Sequence, residues 1–302
     1  HWLDVSSRNL TITRGADEAI DCLMRGFCEP GVDNIVICPP TFAMYAQSAM
    51  LQGVEIRQAP LTSGFGLDPA AIAAAMDEAT KLVFVCSPNN PTGNVMNATA
   101  ITDLCIACDG RALVVVDETY IEYAIDAGDA TSLIPALERF GNLVVLRTLS
   151  KSHAAAGLRC GCAVAAADVT SLMRKVLAPY PVPQPVTGAA LTILSDGNQR
   201  RLAAKRAETI ARRDEMMGEL AKIEDVIRVW PSDANFILIE VRDAAALCKR
   251  AREGGVVLRN QSHQPGVGEA VRISIGSNAE MAQLLAVLRD EVKSPCLVEV
   301  LH

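Results

Sequence analysis

In Leu82-Val83-Phe84-Val85-Cys86-Ser87-Pro88-Asn89-Asn90-Pro91-Thr92-Gly93, an uninterrupted apolar run passes directly into a polar loop. An apolar run without alternation is typical of a strand that is buried on both faces of a sheet. Runs of the same character recur earlier and later in the chain, at Ile35–Cys38, Val54–Gln58, Leu113–Val116, Leu143–Leu146 and Cys160–Val164. We therefore predict a sheet of largely parallel strands.

Helical patterns alternate with these strands. Candidate helices cover Ala16–Cys28, Pro69–Met76 and Ala98–Cys108, and Asn97 is placed to cap the last of them. Such alternation is typical of an α/β domain in which helices cover both faces of a parallel sheet. We predict that this larger domain occupies residues 1–197.

The last third of the chain has a different pattern. The alternating prolines of Ala178-Pro179-Tyr180-Pro181-Val182-Pro183-Gln184-Pro185 exclude a continuous helix or a central strand. A long charged helix is predicted next, at Asn198–Ile223, with its arginines facing solvent. Its predicted buried stripe consists of Leu202, Ile210, Met217 and Leu220.

Shorter elements follow that helix. Strands are predicted at Asn235–Val241, Val256–Arg259 and Val271–Ile275, with helices near Ala244–Arg252 and Ala279–Val292. Together they indicate a smaller α+β domain, which we assign to residues 198–302.

Composition excludes several classes of function. The chain has 302 residues, 50% of them hydrophobic, which is enough for a substantial core. Its net charge of −7 disfavours a protein that binds the phosphate backbone of nucleic acid. No apolar stretch is long enough to cross a bilayer and no signal peptide is visible, so we predict no membrane partner and a cytoplasmic location. Because the first residues resemble the middle of an amphipathic segment, we expect further chain before His1.

The 10 cysteines lie mostly within apolar runs, which predicts buried free thiols rather than a disulfide framework. Cys105 and Cys108 have the spacing of metal ligands, but no second pair or nearby histidine accompanies them. Both also fit the apolar face of one helix. We therefore predict no metal site.

Lys151 is the first candidate for chemistry, in Thr148-Leu149-Ser150-Lys151, and Ala156-Gly157-Leu158-Arg159-Cys160-Gly161 follows it closely. A lysine amine condenses with an aldehyde only when it is unprotonated, which requires a partly desolvated pocket near positive charge. Arg159 supplies such charge, and Ser150 with Arg159 can bind a phosphate group. These residues predict a site for pyridoxal phosphate. From the Ser-Lys pair alone, a solvated surface lysine is the alternative.

Asp117 follows the strand Leu113–Val116, at the strand end where α/β sheets bind ligands. It is the candidate partner for the pyridinium nitrogen of the cofactor, whose ring then accepts electrons from the substrate carbon. Tyr120 and Asn90 are candidates for hydrogen bonds to the phenolic oxygen of the ring. Capping of the next turn is the alternative role for Asp117.

Two earlier segments complete the predicted cofactor site. In Arg14-Gly15-Ala16-Asp17-Glu18 a helix opens, and the backbone N–H groups of Ala16 and Asp17 are candidates to bind the phosphate. Asp17 also suits any first helical turn. Phe42 follows a strand end and is placed to stack on an aromatic ring, although phenylalanine is more often a core residue.

Two arginines in the predicted smaller domain are candidates for binding substrate. Arg272 lies inside the strand Val271–Ile275, and Arg259 ends the strand before it. Two arginines directed at one cleft would bind an anionic substrate group. For Arg259 an ordinary position on a surface strand is equally open.

The order of these motifs resembles the fold-type I aminotransferases of class I/II, and within them the histidinol-phosphate aminotransferases. The resemblance covers nearly the whole chain. The narrower resemblance rests on Arg147-Thr148-Leu149-Ser150-Lys151, Ala156-Gly157-Leu158-Arg159-Cys160-Gly161, Ala178-Pro179-Tyr180-Pro181 and Val257-Leu258-Arg259-Asn260-Gln261.

The resemblance implies a pyridoxal-phosphate enzyme with Lys151 as the Schiff-base lysine and general acid/base. It further implies Asp117 at the pyridine nitrogen, with Asn90 and Tyr120 at the phenolic oxygen. Phosphate binding falls to Ser150, Arg159 and the amides of Ala16 and Asp17, and substrate phosphate binding to Arg259 and Arg272. The implied substrates are L-histidinol phosphate and 2-oxoglutarate, with glutamate as a product, and the implied assembly is a homodimer.

The chain departs from the family pattern at several positions. Phe42 replaces the commoner tyrosine, Thr119 stands where alanine is usual, and His153 replaces an aromatic residue, where we expect it to pack. The family's N-terminal arm, with a tyrosine supplied across the dimer, is missing from this sequence. Two alternatives remain open at this point: an aromatic amino-acid aminotransferase, and an aminotransferase-like effector domain of a transcription regulator.

Overall fold

Two β-sheets organise the chain in the computed structural model, which describes residues 2–289. The larger sheet contains seven strands in the order β1-β7-β6-β5-β4-β2-β3. They are β1 (Leu10–Thr13), β2 (Asn34–Ile37), β3 (Glu55–Gln58), β4 (Thr80–Cys86), β5 (Leu113–Asp117), β6 (Leu143–Thr148) and β7 (Gly161–Ala165). Strands β2 to β6 pair in parallel, whereas β7 is antiparallel to both β6 and β1. The predicted α/β fold with a mostly parallel sheet is confirmed.

Helices cover both faces of this sheet. They are α1 (Ala16–Phe27), α2 (Met44–Leu51), α3 (Pro69–Ala75), α4 (Ala98–Ala107), α5 (Ile121–Ala127) and α6 (Ala167–Val176). Successive residues of β4 enter separate cores: Phe84 packs with residues of α1 and α2, whereas Val83 and Val85 pack with residues of α3 and α4. This two-sided burial explains why the strand has no polar residue in alternation.

The smaller sheet is antiparallel, with the strand order β10-β11-β9-β8. Its strands are β8 (Val226–Val229), β9 (Phe236–Val241), β10 (Arg259–Asn260) and β11 (Ala270–Ser274). The helices of this part of the chain are α7 (Gln184–Ile193), α8 (Asp196–Leu220), α9 (Ala244–Glu253) and α10 (Asn278–Leu288). The division into domains between residues 197 and 198 stays a prediction, and the predicted extension of the last helix to 292 lies outside the described residues.

Two expectations for the C-terminal third were wrong in detail. The arginines of α8 do not all face solvent, because Arg206 and Arg213 are buried where α8 packs on α5 and on the smaller sheet. Arg206 Nε donates to Asp126 Oδ2 at 2.6 Å, and Arg213 donates to the carbonyl oxygen of Ala234 at 3.3 Å. Each guanidinium therefore finds an acceptor on another segment of the chain.

The strand predicted at Val256–Arg259 is also wrong in extent, because the backbone N–H of Val256 donates to Ala251 and caps α9. Only Arg259–Asn260 pairs with β11.

In the proline-rich segment, α7 begins at Gln184 with Pro185 in its first turn. Proline is accepted there because the first backbone N–H groups of a helix have no partner within the helix.

Cysteine burial agrees with the sequence analysis. Every described cysteine except Cys248 is buried as a free thiol. Burial raises the pKa of Cys105 to about 12 and that of Cys108 to about 11, so both remain protonated at neutral pH. Within residues 2–289 no group of three or more histidine, cysteine or acidic side chains could hold a metal ion. None of the helices in this range is both long and apolar enough to pass through a membrane.

Arg147 lies on β6 and pairs with two carboxylates in the interior. Its guanidinium is 2.6 Å from Glu122 Oε1 and 3.3 Å from Glu118 Oε2, and all three residues are buried. We expect Arg147→Met to lower the free energy of unfolding by about 3 to 5 kcal/mol, because two buried carboxylates lose their counter-charge. Urea unfolding of the apoprotein measures this loss. Arg111→Met, at an exposed arginine, is the control, and equal stability of the two variants would contradict the expectation.

Candidate active site

A cavity of about 230 Å³ lies at the carboxyl edge of the larger sheet. Strands β4, β5 and β6 run in parallel and end at this edge, so the segments that follow them meet there. All but one of the predicted site residues line the cavity: Ala16, Asp17, Phe42, Asn90, Asp117, Tyr120, Ser150, Lys151, Arg159 and Arg272. Residues that were not predicted also line it, namely Cys86, Thr119, Thr148 and Ala156.

Lys151 follows the end of β6 and reaches into the cavity. Its Nζ lies 5.7 Å from the centre of the Tyr120 ring. The pKa of Lys151 is lowered, first by partial removal from water among the cavity walls and then by the positive charge of Arg272. A larger fraction of this amine is therefore neutral near pH 7 than for an ordinary lysine, which is the form that attacks an aldehyde carbon.

Asp117, the last residue of β5, has a carboxylate that is 3% exposed. Its Oδ1 accepts hydrogen bonds from the Thr119 backbone N–H at 3.0 Å and from the Thr119 hydroxyl at 2.5 Å. Its Oδ2 accepts from the hydroxyl of Tyr45 at 2.9 Å. Burial raises the pKa of Asp117, and these hydrogen bonds oppose that rise.

Arg272, which lies on β11 of the smaller sheet, lines the cavity. From β11, its Nη1 donates to Asn90 Oδ1 at 2.6 Å, and its guanidinium carbon lies 5.1 Å from the centre of the Phe236 ring. The edge of Phe236 in turn contacts Tyr120, with ring centres 5.1 Å apart. Arg272 Nε is buried and has no hydrogen-bond partner among the described residues. An anion in the cavity could therefore bind a guanidinium that still has unused donors.

Arg259 is the predicted residue that the structure does not place on the cavity wall. It lies on β10 directly opposite Arg272 in the strand register, and its side chain is exposed. Its predicted contact with the substrate stays a prediction.

The start of α1 and the loop after β6 form an anion cup. Helix α1 begins at Ala16 after Gly15, which has φ of 85°, so its free N–H groups point toward the cavity side of the sheet. Arg159 lies opposite, and its guanidinium donates to Ala156 O at 2.9 Å and to Asp17 Oδ2 at 3.3 Å. Glycine suits position 15 because φ of 85° is a backbone conformation that residues with a side chain rarely adopt.

These features fit pyridoxal phosphate. The cup offers amide and guanidinium donors to a phosphate, the Ser150 hydroxyl lines the same wall, and the amine of Lys151 is available to an aldehyde. Asp117 offers a buried carboxylate to a ring nitrogen, and Phe42 offers a ring to a flat heterocycle. The structure therefore brings together every class of group that the sequence assigned to the cofactor, while the individual roles stay predictions.

Sequence analysis missed Tyr45, which does not line the cavity but contacts Asp117 from behind. Its only signal was an aromatic residue three positions after Phe42, at the start of a helix, where no local pattern tells where the hydroxyl points.

His153 is 3% exposed and packs its ring edge-on against Trp2, with ring centres 5.0 Å apart. It is not among the cavity-lining residues, in keeping with the expected packing role.

Comparison with known proteins places the chain in a family. The family model for aminotransferase class I and II matches residues 2–288. Histidinol-phosphate aminotransferase 2 of Mannheimia succiniciproducens is 39% identical over 95% of this chain and 81% of the relative. Histidinol-phosphate aminotransferase of Aeromonas hydrophila is 42% identical over 96% of this chain and 80% of the relative.

Solved structures show the same fold. The histidinol-phosphate aminotransferase from Clostridium acetobutylicum superposes with a TM-score of 0.87, at 22% identity over 96% of this chain and 85% of that chain. The resemblance to histidinol-phosphate aminotransferases that the motifs predicted is confirmed by the curated relatives. The chain therefore belongs to the aminotransferase class I and II family, whose members depend on pyridoxal phosphate.

Proposed function

We propose that this aminotransferase transfers an amino group between L-histidinol phosphate and 2-oxoglutarate, and that it acts as a cytoplasmic homodimer. The observation that carries the proposal is a lysine of lowered pKa in one cavity with an anion cup and a buried carboxylate. The substrate assignment rests on the names of relatives that are 39% and 42% identical over nearly the whole chain. Fully exposed Tyr180 and largely exposed Leu191 offer apolar surface to a second copy.

Pyridoxal phosphate, when bound, supplies an aldehyde carbon for amines and a ring that holds the electron pair released by the substrate carbon. The chain positions it from several sides. The Ala16 and Asp17 N–H groups, Ser150 and Arg159 bind the phosphate. Asp117, which is 3% exposed, would accept a hydrogen bond from the protonated ring nitrogen through Oδ2.

Lys151 moves the proton. Its Nζ, neutral in part because of desolvation and the charge of Arg272, would take the proton from the substrate carbon that bears the amino group and deliver it to the carbon that the cofactor supplies as an aldehyde. Tyr120, which is 6% exposed, has its ring centre 5.7 Å from this amine, and its hydroxyl would donate to an oxygen on the cofactor ring. Asn90 binds the same oxygen through its amide N–H, since its own carbonyl oxygen accepts from Arg272.

Arg272 and Arg259 bind the phosphate of the substrate. The Nε of Arg272 has no hydrogen-bond partner among the described residues, and Arg259 is the register partner of Arg272 in the smaller sheet. Two adjacent guanidinium groups match a dianionic phosphate better than a neutral side chain.

A comparison of amino donors tests the proposal. With cofactor-loaded protein and 2-oxoglutarate, we expect kcat/KM for histidinol phosphate to exceed that for phenylalanine by at least about 100-fold, because a dianionic phosphate pairs with the guanidinium groups of Arg272 and Arg259 more completely than the single carboxylate of phenylalanine. Histidinol without its phosphate is the matched control and should lose a similar factor. Equal or higher kcat/KM for phenylalanine would instead identify an aromatic amino-acid aminotransferase.

A further inference from the structure

The hydrogen bonds around Asp117 leave one part of its carboxylate open. Oδ1 accepts from both the N–H and the hydroxyl of Thr119, at 3.0 and 2.5 Å, whereas Oδ2 accepts only from Tyr45, at 2.9 Å, among the hydrogen bonds of residues 2–289. A carboxylate offers about two acceptor positions on each oxygen. The open position therefore lies on Oδ2, and Asp117 lines the cavity.

Tyr45 is held in one orientation behind the cavity. It lies on α2 with 0% exposure, and its ring stacks on Phe84 of β4 with ring centres 4.7 Å apart. The edge of the cavity-lining Phe42 contacts the same ring, with centres 5.6 Å apart. A phenol that is packed on two sides cannot swing its hydroxyl away, so the bond to Oδ2 has a fixed direction.

Thr119 holds the other oxygen from the turn after β5. Its side chain and its own backbone N–H both donate to Oδ1, which fixes the rotation of the carboxylate about its Cβ–Cγ bond. Alanine in its place would keep the N–H bond and lose the hydroxyl.

The hydrogen bonds from Tyr45 and Thr119 affect the ionisation of Asp117, whose carboxyl group is almost fully removed from water. Burial alone favours the neutral acid, and hydrogen bonds to the oxygens favour the carboxylate. Among the acidic residues, Asp17 also raises the pKa of Asp117 through its negative charge. Cys86 and Tyr120 line the same cavity. Only the ionised form carries the negative charge that stabilises a protonated ring nitrogen.

We propose that Tyr45 and Thr119 are positioning residues that keep Asp117 ionised and direct the open side of Oδ2 at the ring nitrogen of the cofactor. The inference rests on the proposed function, because it needs a cofactor ring in this cavity. Under this inference the two hydroxyl groups act through their hydrogen bonds and not through packing. Each hydroxyl can be removed with little change in side-chain volume, so substitution separates the two roles.

The test compares Tyr45→Phe and Thr119→Ala with the unchanged protein. Equilibrium dialysis of the apoprotein against pyridoxal phosphate should give a dissociation constant raised about tenfold or more in each variant, because a charge-assisted hydrogen bond is lost. Carbon-13 NMR of the Asp117 carboxyl carbon in the apoprotein should show its titration moved to higher pH. Thr119→Ser, which keeps a hydroxyl, should restore both readouts.

Kinetics with glutamate as the amino donor separate positioning from substrate binding. In both variants kcat should fall about tenfold with KM changed less than about twofold, because neither hydroxyl contacts the substrate. Tyr123→Phe is the control, since Tyr123 is a buried tyrosine of α5 that does not line the cavity. It should match the unchanged protein in every readout.

Each outcome decides the question. If Tyr45→Phe and Thr119→Ala keep the dissociation constant, the Asp117 titration and kcat of the unchanged protein, the inference is wrong while the proposed function stands. If Tyr45→Phe does not fold, the pair Thr119→Ala and Thr119→Ser decides by the same readouts. Failure of the unchanged protein to bind the cofactor would overturn the proposed function and this inference together.

Discussion

Replacing Lys151 with alanine should reduce kcat for amino transfer by at least about 10⁴-fold, the largest effect of any substitution in this chain. The variant loses both the amine that joins the cofactor aldehyde and the base that moves the substrate proton. Neighbouring groups cannot take over: Tyr120 carries a phenol whose pKa burial raises, and Arg272 is not a base at neutral pH. The fold should be retained, because Lys151 side-chain atoms mainly face the cavity.

Steady-state kinetics and borohydride trapping measure this effect. Reduction of the cofactor-loaded protein followed by peptide mass mapping should place the adduct on Lys151 and find none in Lys151→Ala. Lys175→Ala, at an exposed lysine in the last turn of α6, is the control and should keep full activity. An adduct on another lysine, or transamination by Lys151→Ala near the original rate, would contradict the assignment of Lys151 as the Schiff-base lysine.

Replacing Asp117 with asparagine should lower kcat by at least about 10²- to 10³-fold, because a buried and preorganised negative charge is removed. Asparagine has nearly the same shape, and its carbonyl oxygen can still accept from Thr119. What it lacks is the negative charge that keeps the ring nitrogen protonated. The substitution therefore isolates charge from packing.

The cofactor dissociation constant and kcat of Asp117→Asn, each measured at several pH values, check this expectation. We expect weaker cofactor binding, with KM for the amino donor almost unchanged, because Asp117 is directed at the cofactor ring. Asp109→Asn, at an exposed aspartate, serves as the control and should behave as the unchanged chain. If Asp117→Asn retained more than about a tenth of kcat, the ring nitrogen would not depend on this carboxylate.

Much of the larger sheet could be predicted because its strands carry their own signal. The runs that became β2, β4, β5 and β6 are continuous and apolar, and Pro69 and Asn97 mark the starts of helices that the structure has at Pro69–Ala75 and Ala98–Ala107. The loops after these strands contain most of the predicted site residues. A parallel sheet brings such loops to one edge, so the site could be assembled from the order of the motifs alone.

Elements with weaker local signals were missed or misplaced. Helix α2 is short and apolar without a clear helical stripe, and β10 is two residues long and exists only through pairing with β11. The solvent-facing assignment of Arg206 and Arg213 failed for a related reason. Charged residues on a helix are buried only when a distant acceptor is present, and the distant acceptors, Asp126 and Ala234 O, belong to other segments of the chain.

The sequence by itself determined the α/β fold, the family and most of the groups in the cavity, because strand burial, turn chemistry and motif order act over short stretches of chain. Tertiary structure alone decided how those groups are held. The hydrogen bond from Tyr45 to Asp117 joins residues 72 positions apart, and that from Arg272 to Asn90 joins residues 182 positions apart. Such contacts depend on the packing of whole helices and sheets, which no local pattern of residues encodes.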